Sequence, residues 1–213
     1  MRRKGGNMYI PKYFKVTDLN EIKEFIRMNS FGTIVTTENG RPIATHIPMD
    51  LVKQGDDYYI EGHMAYANSQ WKTFDEGQET TLVMFQGPHA YISSSWYNHE
   101  NVPTWNYQSV HVYGKASIMS ELELEEYLNF LLYKYEEHRD HPVLWENLSP
   151  ETKKQMKGTV GFKIKIEEVQ ASYKLSQNRN KEDYYNIIEQ LHDQDDANSQ
   201  QIADVMEQRK SIR

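Results

Sequence analysis

The chain has 213 residues, no cysteine, and 24 basic against 31 acidic side chains, giving a formal net charge of −7 with histidine neutral. The lack of cysteine excludes disulfides, thiolate nucleophiles and Cys-ligated zinc or iron–sulfur centres. The acidic balance argues against a broad phosphate-binding surface, and the length suits one large domain or a domain with an appendage.

No apolar run approaches the roughly 20 residues that a membrane helix needs. Met1-Arg-Arg-Lys-Gly-Gly-Asn7 leads into polar and aromatic residues and does not read as a signal peptide. Cytoplasmic residence is the expectation, with residues 1–7 a disordered or non-native extension ahead of Met8. Residues 8–16 read as extended. Thr17-Asp18 then caps a helix over 18–29, with Leu19, Ile22, Phe25 and Ile26 on one face. Phe31 to Thr37 is a strand rich in β-branched residues. Asn39-Gly40 supplies the positive φ angles of a tight hairpin, and Pro42 to Val52 is the partner strand. A turn at Gln54-Gly55-Asp56-Asp57 precedes a third strand, Tyr58 to Gly62.

The segment from His63 to Trp71 is too polar for a sheet interior and enters a short helix from Asn68 to Phe74. Further strands are expected over Thr80–Phe85, Ala90–Ser94 and Thr104–Tyr113, the last running on to Met119. Pro88 and Pro103 lack an N–H and are expected to open strands or sit beside them, with Gly87 and Gly114 as punctuation. Six or more strands between residues 31 and 119 have the spacing of a closed or nearly closed antiparallel barrel.

Ser120-Glu-Leu-Glu123 is a capping box. Its helix runs to about His138, with Leu124, Tyr127, Leu128, Leu131 and Tyr135 as the inward stripe. Ser149-Pro150 opens another helix. Thr159 to Tyr173 returns to strand, Lys174 to Arg179 is a polar run at its end, and residues 181–192 are helical with Tyr184, Ile187, Ile188 and Leu191 inward. Beyond Asp193 the apolar signal thins to Ile202, Val205 and Met206, which suits a frayed helix or one that packs on a partner subunit.

The richest stretch is 87–114, where Trp96, Tyr97, Trp105 and Tyr107 crowd a connection. It reads either as a packed corner of a barrel or as the wall of a pocket for a flat aromatic ligand. There is no phosphate loop, dinucleotide fingerprint or nucleophile elbow. His138 and His141 fit a solvated helix end better than a metal site. Polar groups recur at strand ends: Thr45-His46, His63, Asn68-Ser-Gln-Trp71, Ser93 to Trp96, and Lys174 to Arg179. If these ends converge, hydroxyls, amides and a cation would take a phosphate while rings take a heterocycle. His46 alone, on an apolar strand, reads first as a satisfied core histidine.

Six collinear motifs resemble one family: Met8-Tyr9-Ile10-Pro11, Pro42 to Pro48, Gly62 to Asn68, Gly87 to Tyr97, Val102 to Tyr107, and Lys174 to Asn178. The resemblance is to the PaiB family, FMN-binding negative transcriptional regulators of protease synthesis and sporulation. It implies an FMN-binding split β-barrel in a homodimer, and with the helices read above the fold class is α+β, mainly β, with flanking helices and a C-terminal helical extension. The barrel domain would span 8–192 and the helical tail 193–213. Ser94 stands where family members commonly have proline. Carried over by position, the implied FMN contacts are Thr45, His46, His63, Asn68, Gln70, Trp71, Ser93, Ser95, Trp96, Lys174, Gln177 and Asn178, with Trp96, Trp105 or Tyr107 flanking the ring.

Three functions follow. The first is a transcriptional regulator that contacts DNA directly or through a partner, although the acidic helix pair at 181–210 is unlike a recognition helix. The second is an FMN-dependent oxidoreductase of the pyridoxamine-phosphate-oxidase or flavin-reductase kind. The third is a haem-binding split barrel with His46, His63, His89 or His111 as ligand.

Overall fold

The computed structural model describes residues 8–74 and 80–210, so the expected 1–7 extension lies outside the described residues. In chain order the elements are β1 (Lys15–Val16), α1 (Leu19–Met28), β2 (Phe31–Glu38), β3 (Arg41–Gln54), β4 (Asp57–Ala65), β5 (Thr81–Ile92), β6 (Thr104–Ile118), α2 (Glu121–Glu136), α3 (Pro150–Lys153), β7 (Thr159–Lys174), α4 (Lys181–His192) and α5 (Ala197–Lys210). The sheet order is β1-β7-β4-β3-β2-β5-β6, and β6 also pairs with β7. Six strands therefore close on themselves and β1 adds to β7. The fold is a split β-barrel with flanking helices and a C-terminal helical extension. Closure leaves β2 to β7 without the open edges that invite aggregation.

Local chemistry sets the turns. Asn39 and Gly40 sit at φ 50° and 77°, and β2 pairs with β3 directly from Glu38↔Arg41 to Phe31↔Pro48. Gly55 at φ 61° turns β3 into β4. The Ser120 hydroxyl accepts from the Glu123 N–H, and the Glu123 carboxylate accepts from the Ser120 N–H at 2.8 Å, so α2 begins on a complete capping box.

The chain forms two compact units. The first comprises residues 8–25, 85–111 and 170–210, and buries Phe85, Ile92, Tyr173, Ile187, Leu191 and Met206. The second comprises residues 26–74, 80–84 and 112–169, and buries Ile34, Met49, Ile60, Val83, Phe162 and Ile164.

Three expectations change. Thr80–Phe85 and Ala90–Ser94 are one strand, β5, with Gly87 and Pro88 inside it. Its pairing to β2 runs over Leu82–Met84, so the missing N–H of Pro88 takes no bond from that ladder. On α2, Leu124 and Tyr127 are buried, Leu128 and Leu131 half-buried, and Tyr135 exposed, because the helix rests on the sheet through its first two turns. The C-terminal tail is not frayed. Helix α5 buries Ile202, Ala203 and Met206, and the Tyr184 hydroxyl donates to the Met206 carbonyl at 2.8 Å. Arg209 pairs with Glu21 and lies 5.0 Å over the Tyr173 ring.

Candidate functional site

In the second unit the polar strand ends converge on Gln70, which is 2% exposed. Its amide nitrogen donates to the Ile34 carbonyl and the Thr36 hydroxyl, each at 3.2 Å, and to the Ile43 carbonyl at 3.3 Å. Its amide oxygen accepts from Thr45 at 2.5 Å, and Thr45 in turn accepts from Asn68 Nδ2 at 2.9 Å. Asn68 also accepts the Gln70 backbone N–H. The structure thus brings Thr45, Asn68 and Gln70 together. Gln70 spends its capacity on the barrel wall and serves as a positioning residue, while Thr45 and Asn68 are half-buried at its edge.

The neighbouring positions diverge. Trp71 donates Nε1–H to the Tyr66 carbonyl and packs on the Tyr66 ring at 5.3 Å. His46 is exposed, which corrects the core-histidine reading: in the alternation of β3, Thr45 and Ile47 take the more buried side. His63 stands outside the Gln70 network, with its ring edge on Tyr127 of α2 at 5.9 Å. Its Nδ1 is buried with no partner among the described residues, and burial holds its pKa below the usual histidine value.

In the first unit, Ser93 caps a single 3-10 turn, Ser94–Trp96, and shares a 2.9 Å hydrogen bond with Ser95. Asn186 of α4 donates to the Trp96 carbonyl at 2.6 Å, which pins this turn. Trp96 is half-buried and Tyr97 buried, while Trp105 is 52% exposed with His89 at 5.7 Å and Tyr91 at 6.0 Å. The crowded connection is therefore partly packed corner and partly open aromatic shelf.

At the end of β7, Lys174 donates to Thr104 Oγ1 and lies 5.9 Å from the Phe14 ring. Burial, and then the positive charge of Arg179, hold its ammonium below the usual lysine range. Neither Lys174 nor Arg179 has a carboxylate partner among the described residues. Gln177 folds back, its amide nitrogen donating to the Tyr173 carbonyl and its oxygen accepting the Leu175 N–H, each at 2.6 Å; Asn178 is exposed.

Sequence reasoning named Ser176 and Arg179 only within the polar run 174–179 and gave no role to Thr104 and Asn106. Ser176 is a buried non-glycine at φ 57°, held by two hydrogen bonds with Asn106; strained backbone of this kind gathers at functional sites. Arg179 reaches over the Tyr97 ring at 4.8 Å, and Thr104 meets Lys174. The run 174–179 signalled polarity, but no spacing rule joins it to residues 97, 104 and 106.

Residues 8–168 match the family model described as "Putative FMN-binding domain". Over 201 residues the chain is 63% identical to "Protease synthase and sporulation protein PAI 2" of Bacillus subtilis (strain 168), covering 94% of this chain and 97% of that protein. The chain belongs to the PaiB family. Among solved structures, it resembles the flavocytochrome Anf3 from Azotobacter vinelandii with a TM-score of 0.58 at 20% identity, over 83% of this chain and 78% of that one. It also resembles the FAD and heme binding protein from Mycobacterium smegmatis with a TM-score of 0.56 at 16% identity, over 75% and 73%. At these identities the likeness is one of fold.

The PaiB-family fold implies a flavin, and the first unit has chemistry that fits one. Among the described residues Lys174 and Arg179 have no carboxylate partner, and the buried hydroxyl of Tyr97, whose ring lies under Arg179, has no hydrogen-bond partner. Such a set suits a phosphate, and the exposed Trp105 and Tyr91 rings suit a flat heterocycle.

Proposed function

We propose that this protein is an FMN-binding negative regulator of protease synthesis and sporulation, acting in the cytoplasm as a homodimer. The observation that carries the regulatory reading is the near end-to-end identity to PAI 2. The flavin reading rests on the family model and on the unmatched cations of the first unit.

In this reading Lys174 and Arg179 neutralise the phosphate, with the Thr104 and Tyr97 hydroxyls beside them. Ser93 and Ser95 offer further hydroxyls, and Trp96, Trp105 or Tyr107 flanks the ring. Thr45, His46, Asn68 and Trp71, carried over from the family by position, belong to the second unit. Gln70 braces the barrel wall, Gln177 holds the end of β7, Asn178 is exposed beside it, and His63 lies against α2. The bound flavin would supply an electron-accepting ring. These residues would bind and orient it. Among the described residues no helix is long and apolar enough to cross a membrane.

The test is an absorbance spectrum of the purified protein after FMN is added and the excess removed. A retained band near about 450 nm is expected, that absorption belonging to the cofactor's own ring. Lys174→Ala should weaken retention by about tenfold or more, the scale of a lost charge-assisted contact. No retained flavin overturns the cofactor reading. The regulatory reading is tested separately, by extracellular protease activity in cells that lack the protein, where a rise is expected and no change overturns it. Sedimentation as a monomer at micromolar concentration would overturn the homodimer.

A further inference from the structure

A concavity lies in the second unit, between α2 and strands β3, β4 and β7, and plays no part in the flavin reading. Its volume is about 200 Å³, below the roughly 300–1,000 Å³ of clefts that take drug-sized ligands. Val52, Met119, Tyr127 and Phe130 give it apolar walls. Three carboxylates line it, Glu61, Glu123 and Glu126, against one lysine, Lys163.

Glu61 decides what the cavity can hold. It is 9% exposed, and its one hydrogen bond among the described residues is from Gln54 Nε2 to Oε1 at 2.8 Å. It has no ion pair among the described residues, because the two lysines nearby are committed. Lys163 is bound to Glu123, and Lys134 to Asp50 at 2.5 Å. Burial pushes the Glu61 carboxyl upward, and although Lys163 opposes this, Asp50 and Glu123 add to it. Glu61 lines the cavity with its second carboxylate oxygen open to water, and displacing that water is costly unless the occupant brings a positive charge.

We infer that this cavity binds a small organic ammonium ion, its N–H groups on the free oxygen of Glu61 and its short apolar stem against Val52, Met119 and Phe130. An anion would meet an excess of carboxylates. A neutral apolar molecule would leave Glu61 desolvated and unpaired. A bare metal ion lacks ligands, since no group of three or more metal-binding side chains occurs among the described residues.

Calorimetric titration of the full-length protein with n-hexylammonium chloride tests this, with n-hexanol as the uncharged probe of the same stem. Hexylammonium should bind about tenfold or more tightly than hexanol. Glu61→Gln is isosteric and still accepts from Gln54; it should cost about tenfold in hexylammonium affinity with an unchanged circular dichroism spectrum. Glu126→Gln, at the exposed rim, should cost about twofold. Equal binding of the two probes, unaltered binding by Glu61→Gln, or no binding of either probe overturns the inference. The FMN spectrum of Glu61→Gln should match that of the parent protein, so this result and the flavin result stand apart.

Discussion

A glutamine amide buried in a barrel wall destabilises the fold unless its groups find partners. Gln70 meets this demand by reaching backbone carbonyls of β2 and β3 as well as Thr45. Gln70→Leu would strip several groups at once and should lower unfolding free energy by about 2–4 kcal/mol in urea titration. Gly114 meets a different demand. A Cβ there would collide with the Lys165 carbonyl and press on the Ile164 side chain, and backbone cannot give way as a flexible side chain can. Gly114→Ala should cost about 3 kcal/mol or more by the same measurement. Both residues stood out in the sequence, Gln70 as a flavin contact and Gly114 as punctuation. Their structural reasons lie in neighbours 36 and 51 positions away, which no local pattern reveals.

Elements were more legible than residues. The Ser120 box and the Asn39-Gly40 turn are written in residues a few places apart, and each formed as expected. Ser120→Ala should therefore cost about 1 kcal/mol, read from thermal or urea unfolding, through loss of the α2 cap. What failed at this scale was the reach of the inward stripe of α2 as far as Tyr135. Periodicity identifies an apolar face but not how far along the helix the sheet extends beneath it. The helical extension formed, and only its frayed alternative fell, for a related reason. Helix α5 has few apolar residues, yet Ile202, Ala203 and Met206 are fully buried, and Arg209 adds an ion pair and a ring contact. Truncation after Asp193 should expose Ile187 and Leu191, and dye binding to apolar surface should rise sharply.

For the molecule as a whole, the clearest consequence is the dependence of stability on pH. Burial holds His63 and His111 below the ordinary value of 6.5, so the unfolded chain takes protons that the folded chain refuses. Their contribution is complete above that value and is lost as pH falls through and below it. Glu123, held to about 2 by hydrogen bonds from Lys163 and Ser120, contributes above 4.5 and loses that contribution as pH falls from 4.5 towards 2. Glu61 has the opposite sign, because its raised carboxyl accepts a proton more readily when folded. Urea unfolding should show lower stability at pH about 5.5 than at about 7.5. His63→Phe, which keeps a ring against Tyr127, should flatten that slope.

By itself the sequence determined the strands and helices, the family, and the class of cofactor to expect. Turn glycines, caps, alternation and six collinear motifs all act over short stretches of chain. The tertiary structure alone decided which polar residues are spent on the barrel wall and which are left unmatched. Gln70 and Gln177 are consumed by backbone carbonyls, whereas among the described residues Lys174, Arg179 and Glu61 keep charges without an ion-pair partner and the Tyr97 hydroxyl has no hydrogen bond. The physical reason is that a buried polar group is satisfied or left open by partners that pairing and packing bring from distant parts of the chain.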